Sequence, residues 1–271
     1  MPATDPTSPE RLRVGLLTPP QSGRSRLWSD VSVVARTGST NADMAERLRA
    51  DSGNGLVLVA DHQEAGRGRF ERRWVAPAGT SVAVSVGVRP RRPMPEWMWL
   101  SLFTGLAIAT GIERATGIRA DLKWPNDVLV GGRKLCGILS ERVDTPTGPG
   151  CVVGFGINVS LDEAELPVPT ATSLLLCGVV PDKAELLATV LTDWEAMYRA
   201  WDDGRLPELR ETYEARCATI GRDVAVLLDA PGGTQVTVRG RAVGIDDSGA
   251  VIVDDGTRRR AFVAGDVTHL R

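Results

Sequence analysis

Residues Gly66-Arg-Gly-Arg-Phe-Glu-Arg-Arg-Trp74 place four arginines and a terminal tryptophan in nine positions. Gly66 and Gly68 allow tight backbone turns that bring N–H groups toward an anion, and Arg67, Arg69, Arg72 and Arg73 carry planar forks that match phosphate or carboxylate oxygens in pairs. Trp74 adds a flat apolar face. The same composition also suits a solvated basic loop over one buried tryptophan. The stretch therefore takes its meaning from its neighbours.

Three further segments carry functional residue types, each beside a run that reads as a strand. Thr37-Gly-Ser-Thr-Asn41 offers two hydroxyls and an amide just before a helical run, where an N-cap is the plain reading. Lys123-Trp-Pro-Asn-Asp127 leads into Val-Leu-Val, then Gly131-Gly132, Arg133-Lys134 and Leu-Cys-Gly-Ile-Leu139. By itself Pro-Asn-Asp is a turn and Gly131-Gly132 a hairpin connection. In Val152-Val-Gly-Phe-Gly-Ile-Asn158 two glycines interrupt a strand pattern, which predicts that something approaches the backbone closely there.

In this order and spacing the four segments resemble the catalytic domain of biotin protein ligases, enzymes that activate biotin with ATP and attach it to a lysine of a carrier protein. The resemblance runs from about Thr37 to Arg271. It implies an α+β fold of the class II synthetase-like type, with a mixed β-sheet, packed helices and a small C-terminal SH3-like β-barrel. The expected division is a flexible tail over 1–28, with a short helical possibility at Glu10 to Leu17 and a break at Pro19-Pro20, then a biotin- and ATP-binding catalytic domain over 29–218 and the small domain over 219–271. Some family members carry an N-terminal DNA-binding domain and double as repressors. The short stretch before Thr37 leaves no room for one, so no DNA contact is expected.

Composition agrees: 271 residues, 42% hydrophobic and 24% charged, suffice for one large domain and a small one. A net charge of −2 gives no global basic field for nucleic acid. The apolar runs are strand-sized, and the first thirty residues lack the apolar centre of a signal peptide, which points to a cytoplasmic protein without membrane contact. Cys136, Cys151, Cys177 and Cys217 lie far apart without metal spacing and read as reduced, mostly buried thiols.

Strands are predicted over 55–60, 81–88, 127–130, 135–143 and 151–159. Trp97, Leu100, Phe103, Ile108 and Ile112 share one helix face, and a second helix opens at Pro181 and closes at Gly204 with an aromatic stripe that reads as core. From Gly221 onward short alternating runs are split by turn residues, a small β-barrel pattern.

The resemblance also assigns residues. Ser39, Thr40 and Gln63 would meet the polar ureido edge of biotin, Gly137 and Gly156 would leave room for its rings, and Gly66, Arg67 and Lys134 complete the biotin set. Arg67, Arg69, Arg72, Trp74, Asn126 and Asn158 would hold the nucleotide, with the Trp74 indole stacked on adenine. Lys134, Arg69 and Asp127 are the candidate catalytic residues. Asp127 is read equally well as a turn residue or as a helper of the incoming amine. ATP with Mg²⁺ is the implied cosubstrate, with no metal fixed by the protein alone, and the implied partner is the biotin carboxyl carrier domain of a carboxylase. Oligomeric state stays open, with a monomer slightly favoured. Two alternatives share the architecture: a lipoyl or octanoyl transferase, against which the arginine loop argues, and a non-catalytic biotin sensor.

Overall fold

The computed structural model describes residues 7–18, 26–51, 53–70, 72–229 and 235–270. Its larger part is a seven-stranded sheet built from β1 (Asp30–Val34), β2 (Leu56–Ala60), β5 (Ser81–Val88), β6 (Asp121–Lys123), β7 (Asp127–Val130), β8 (Arg133–Thr145) and β9 (Gly148–Asn158). Two short strands, β3 (Gly66–Arg67) and β4 (Arg73–Trp74), form a separate hairpin. The order across the large sheet is β1-β2-β5-β9-β8-β7-β6. Only the β1–β2 pair is parallel, so the sheet is mixed. Between β7 and β8 the chain reverses on Gly131 and Gly132 alone, with φ of 57° and 78°, the left-handed backbone that a two-residue hairpin needs.

One face of the sheet is covered by α3 (Met98–Thr116) and α4 (Lys183–Asp202). The α4 aromatic stripe is core, as its spacing predicts: Trp194, Tyr198 and Trp201 pack around Phe103 of α3. Asp182 caps α4 by accepting the Glu185 N–H at 2.8 Å. On the other face α2 (Thr40–Arg49) buries Met44 and Leu48 in a smaller cluster with Leu56, Leu58, Val143 and Val152. A fifth helix, α5 (Leu206–Arg216), is not evident in the sequence pattern, because its apolar face is only Leu206, Leu209 and Tyr213.

The expectation of a mobile tail over 1–28 needs correction for the residues described. Helix α1 (Pro9–Leu17) buries Leu12 and Leu16 completely, and Trp28 packs on Trp194 with ring centroids 5.4 Å apart. Arg13 Nε donates to the Val31 carbonyl at 2.7 Å, so the helix also covers the open edge of β1. The short helix allowed at Glu10 to Leu17 thus forms, and what its sequence did not reveal is the partner surface that buries its two leucines. The Pro19-Pro20 break lies outside the described residues.

The C-terminal part is a five-stranded antiparallel sheet: β10 (Asp223–Asp229), β11 (Gln235–Ile245), β12 (Val251–Asp254), β13 (Arg259–Phe262) and β14 (Asp266–His269), in the order β13-β12-β11-β10-β14. It is docked on the larger part through two indoles. Trp99 Nε1 donates to the Asp247 carbonyl at 3.0 Å, and Trp124 Nε1 to that of Gly249 at 3.0 Å. One hydrophobic cluster runs through both sheets. This docking brings the start of β14 to the arginine hairpin.

Candidate active site

A cavity of about 550 Å³ opens where α2, the β3–β4 hairpin, β8, β9 and the start of β14 meet. It gathers Ser39, Thr40, Gln63, Arg67, Arg69, Arg72, Trp74, Asn126, Asp127, Lys134, Gly137, Gly156 and Asn158. Gly66 lies at the base of the hairpin, where an added Cβ would stand 2.6 Å from the Trp74 carbonyl oxygen.

The inner wall is neutral and buried. Ser39 sits at the N-cap position of α2, yet its side chain makes no capping bond. The work is done by Gln63, whose Oε1 accepts from the Thr40 N–H at 2.8 Å and lies 3.0 Å from Thr40 Oγ1. A tertiary cap thus frees the Ser39 hydroxyl and fixes Gln63. Ser85, fully buried on β5, stands 2.8 Å from Thr40 Oγ1 and donates to Asn41 Oδ1 at 2.6 Å. Asn41 Nδ2 in turn donates to the Leu139 carbonyl at 3.2 Å and to Glu141 Oε2 at 2.6 Å.

The glycines of β9 answer the expectation of a close approach. A Cβ on Gly154 would overlap the Asn41 amide, and one on Gly156 would lie 2.6 to 2.8 Å from the Trp74 indole. Gly137 faces the same indole and the end of the Lys134 chain, each at 3.1 Å. The room beside Gly137 and Gly156 therefore holds the Trp74 indole. Gly137, Gly156 and Trp74 thus share one part of the cavity.

The mouth is cationic, and most of its charges have acidic partners. Lys134 Nζ stands 2.5 Å from Asp127 Oδ1 across the β7–β8 hairpin. Arg67 Nη2 stands 2.9 Å from Glu141 Oε2, and Arg72 pairs with Asp266 at the start of β14. Arg69 is bonded to neutral groups, the Asn126 Oδ1 at 3.3 Å and the Gly265 carbonyl at 3.2 Å. Burial lowers its pKa, and the nearby Asp266 and Asp127 carboxylates oppose that shift. At the hairpin tip Phe70 takes a φ of 54°, with the Arg69 guanidinium 4.8 Å from its ring centroid. Like charges crowded in nine residues thus draw carboxylates from β7, β8 and β14.

Asn126 is held on both sides, with Nδ2 donating to the Ile138 carbonyl at 2.8 Å and its own carbonyl accepting the Ile138 N–H at 2.9 Å. That leaves Oδ1 for Arg69. Asn158 is nearly sealed, and its Nδ2 donates to the Thr172 carbonyl at 2.9 Å, tying down the segment after β9. The same segment brackets Lys134, whose backbone N–H donates to Thr170 O at 2.7 Å and whose carbonyl accepts from Thr172 at 2.8 Å.

Sequence reasoning missed Asn41 and Asp266 as cavity residues, and Ser85 and Glu141, which hold lining residues from behind. For Glu141 a signal existed: counting by two along β8 from Gly137 puts Leu139 and Glu141 on the same sheet face. For Asp266 there was none, since only the docking of the C-terminal sheet brings it near. Burial raises the thiol pKa of Cys136, and that of Cys151 to about 12, so neither is a nucleophile at neutral pH. Among the described residues no group of three His, Cys, Asp or Glu side chains is placed to hold a metal ion, and no helix is long and apolar enough to cross a membrane.

Residues 33–158 match the biotin/lipoate A/B protein ligase family, and residues 219–270 match the biotin protein ligase C-terminal domain. The biotin–[acetyl-CoA-carboxylase] ligase of Mycobacterium tuberculosis is 43% identical over 250 residues, covering 90% of each chain. This chain belongs to the biotin protein ligase family. The bifunctional ligase/repressor BirA of Bacillus subtilis is 31% identical over 96% of this chain and 78% of its own length. Among solved structures, the Aquifex aeolicus biotin protein ligase in complex with biotin and ATP superposes with a TM-score of 0.76 at 26% identity, over 90% of this chain and all of that one. The four signature segments of the family and both of its matched regions meet in the one cavity described above.

Proposed function

We propose that the protein is a biotin–carboxyl carrier ligase, which makes biotinyl-5′-AMP from biotin and MgATP and passes the biotinyl group to a lysine of a carboxylase's carrier domain. One observation carries the reading: a neutral wall on which Thr40 and Asn41 are buried and hydrogen-bonded shares one cavity of about 550 Å³ with a cluster of cations. A neutral ureido head needs the first and two joining anions need the second. Residues 29–218 then form the catalytic unit, and 219–271 a smaller unit that closes the nucleotide end through Gly265 and Asp266.

In the first step a carboxylate oxygen of biotin attacks the α-phosphorus, the bond to the β-phosphate oxygen breaks and pyrophosphate leaves. Thr40 and Gln63, with Ser39 and Gly66 beside them, take the head of biotin. Arg67 and Lys134 hold its carboxylate, and Arg69, with Arg72 outside it, neutralises the phosphate. Trp74 belongs to the wall of the biotin slot, given its contact with Gly137 and Gly156. Asn126 aims Arg69, and Asn158 acts through the segment that brackets Lys134. Magnesium enters as part of the nucleotide, held chiefly by phosphate and water.

In the second step the carrier lysine's neutral amine attacks the activated carbonyl carbon, the bond to the phosphate oxygen breaks and AMP leaves. Asp127 takes the proton from that amine once an anionic ligand engages Lys134, a role supported by the 2.5 Å pairing of the two side chains. Incubation with MgATP and either biotin or octanoate tests the reading, since only biotin should release pyrophosphate. Release with octanoate would favour the lipoyl or octanoyl reading, and release with neither would leave a binding protein.

A further inference from the structure

Glu141 belongs to none of the signature segments, yet its carboxylate joins the two walls of the cavity. One oxygen, Oε2, accepts both the buried Asn41 amide at 2.6 Å and the half-exposed Arg67 guanidinium at 2.9 Å. Behind Asn41 the contacts continue through Ser85 and Thr40 to Gln63, none longer than 3.0 Å. The chain is anchored at each link: Glu141 pairs with Val152 in the middle of the β8–β9 ladder, and Gly154 leaves the space that the Asn41 side chain fills.

We infer that Glu141 is a positioning residue: it fixes the Arg67 guanidinium relative to the residues that hold the head of biotin, so that carboxylate and head are gripped in register. This rests on the biotin reading of the cavity given above. A carboxylate beside a site for an anionic ligand repels that ligand, so on charge alone removing it should tighten biotin. Arg67 is a long side chain, 47% exposed, that must give up rotamer freedom to meet the ligand. Glu141 removes that freedom in advance with a single bond to Nη2, leaving the other guanidinium N–H groups for biotin. Positioning therefore predicts weaker binding on loss of Glu141, and electrostatics predicts stronger.

Glu141→Gln keeps an oxygen that can still accept from Asn41 Nδ2 and turns the charge-assisted tie to Arg67 Nη2 into a weaker, neutral one. Calorimetric titration without nucleotide should show biotin binding about tenfold weaker in Glu141→Gln, in line with loss of a charge-assisted bond. Biotinol, the alcohol that lacks the carboxylate, should change by less than about twofold. Glu141→Ala, which also releases Asn41, should weaken both ligands. Biotin binding in Glu141→Gln as tight as the parent's, or tighter, would overturn the inference, as would equal losses for biotin and biotinol, the mark of general structural damage. A parent protein that binds no biotin would instead remove the functional reading, and this inference with it.

Discussion

The inner wall and the mouth of the cavity solve opposite problems with different chemistry. Along the wall, Thr40, Asn41, Gln63 and Ser85 are neutral and each makes at least two polar contacts, both of Gln63's to Thr40. At the mouth the groups are charged, and Arg67 and Arg72 are 47% and 65% exposed, each tied by one carboxylate. Buried neutral groups cost free energy unless every bond is made, so the wall has one arrangement and reads shape. Exposed ion pairs contribute little to stability and exchange partners readily, so Arg72 can surrender Asp266 to an incoming anion, while Arg67 keeps Glu141, itself held by Asn41. A rigid end that selects and an exchangeable end that reacts is the division a two-step group transfer needs.

The largest expected effect lies at the mouth. Lys134→Ala should slow biotin-dependent pyrophosphate release roughly a hundredfold, about 3 kcal/mol, with the fold intact by circular dichroism. Near-normal release would take Lys134 out of the mechanism and move the centre of charge stabilisation to the hairpin arginines.

The wall should respond in stability. Gly154→Ala must displace the Asn41 amide from a site where it is bonded on three sides, and should destabilise the protein by about 1–3 kcal/mol in urea unfolding. Gly156→Ala presses on the Trp74 ring, a side chain at a cavity edge that can shift. It should lose less stability and more biotin affinity. Equal losses of stability in the two variants would show that the Trp74 ring is held as firmly as the Asn41 amide.

Retention of the intermediate should depend on Arg69, the cation whose hydrogen bonds run to Asn126 and to the C-terminal sheet. Arg69→Gly should let biotinyl-AMP escape, seen as severalfold more biotin on added serum albumin when carrier is absent. Arg69→Lys should fall between, keeping the charge and losing the fork. Albumin labelling no greater than the parent's would assign retention to other residues, Trp74 or Lys134 first.

The smallest effect concerns pH. His269, 3.0 Å from Thr219 Oγ1 on β14, has its pKa lowered from 6.5 to about 4, by burial first and then by Lys123 and Arg222. A lowered histidine binds its proton more weakly when folded, so its contribution is fully present above pH 6.5 and fades as pH falls toward 4. The melting temperature of the parent should drop more between pH 7 and pH 5 than that of His269→Gln. Parallel curves would show that His269 titrates alike in both states.

Much of the larger fold is legible in the residues alone. The strand over 81–88, the hairpin on Gly131 and Gly132 and the helix between Pro181 and Gly204 follow from a valine-rich run, paired glycines and an aromatic stripe at helical spacing, all of them local signals. The five-residue β1 and the polar α5 escaped the same reading, because their burial is supplied by α1, α3 and β11 rather than by their own pattern. The cavity divides in the same way. Arg67, Arg69, Lys134, Asp127 and the glycines of β9 announce themselves by residue type and spacing.

What the sequence determined is which atoms the cavity has to work with. Tertiary structure decided who holds whom. Gln63, not Ser39, caps α2; Trp74 lies on Gly137 and Gly156; Arg67 finds Glu141 74 residues away, and Arg72 finds Asp266 194 residues away. The physical reason is that a hydrogen bond or ion pair is set by distance in space, and a strand's register or a docked sheet can bring together any two positions. Local periodicity constrains only the few residues within one turn or one pleat.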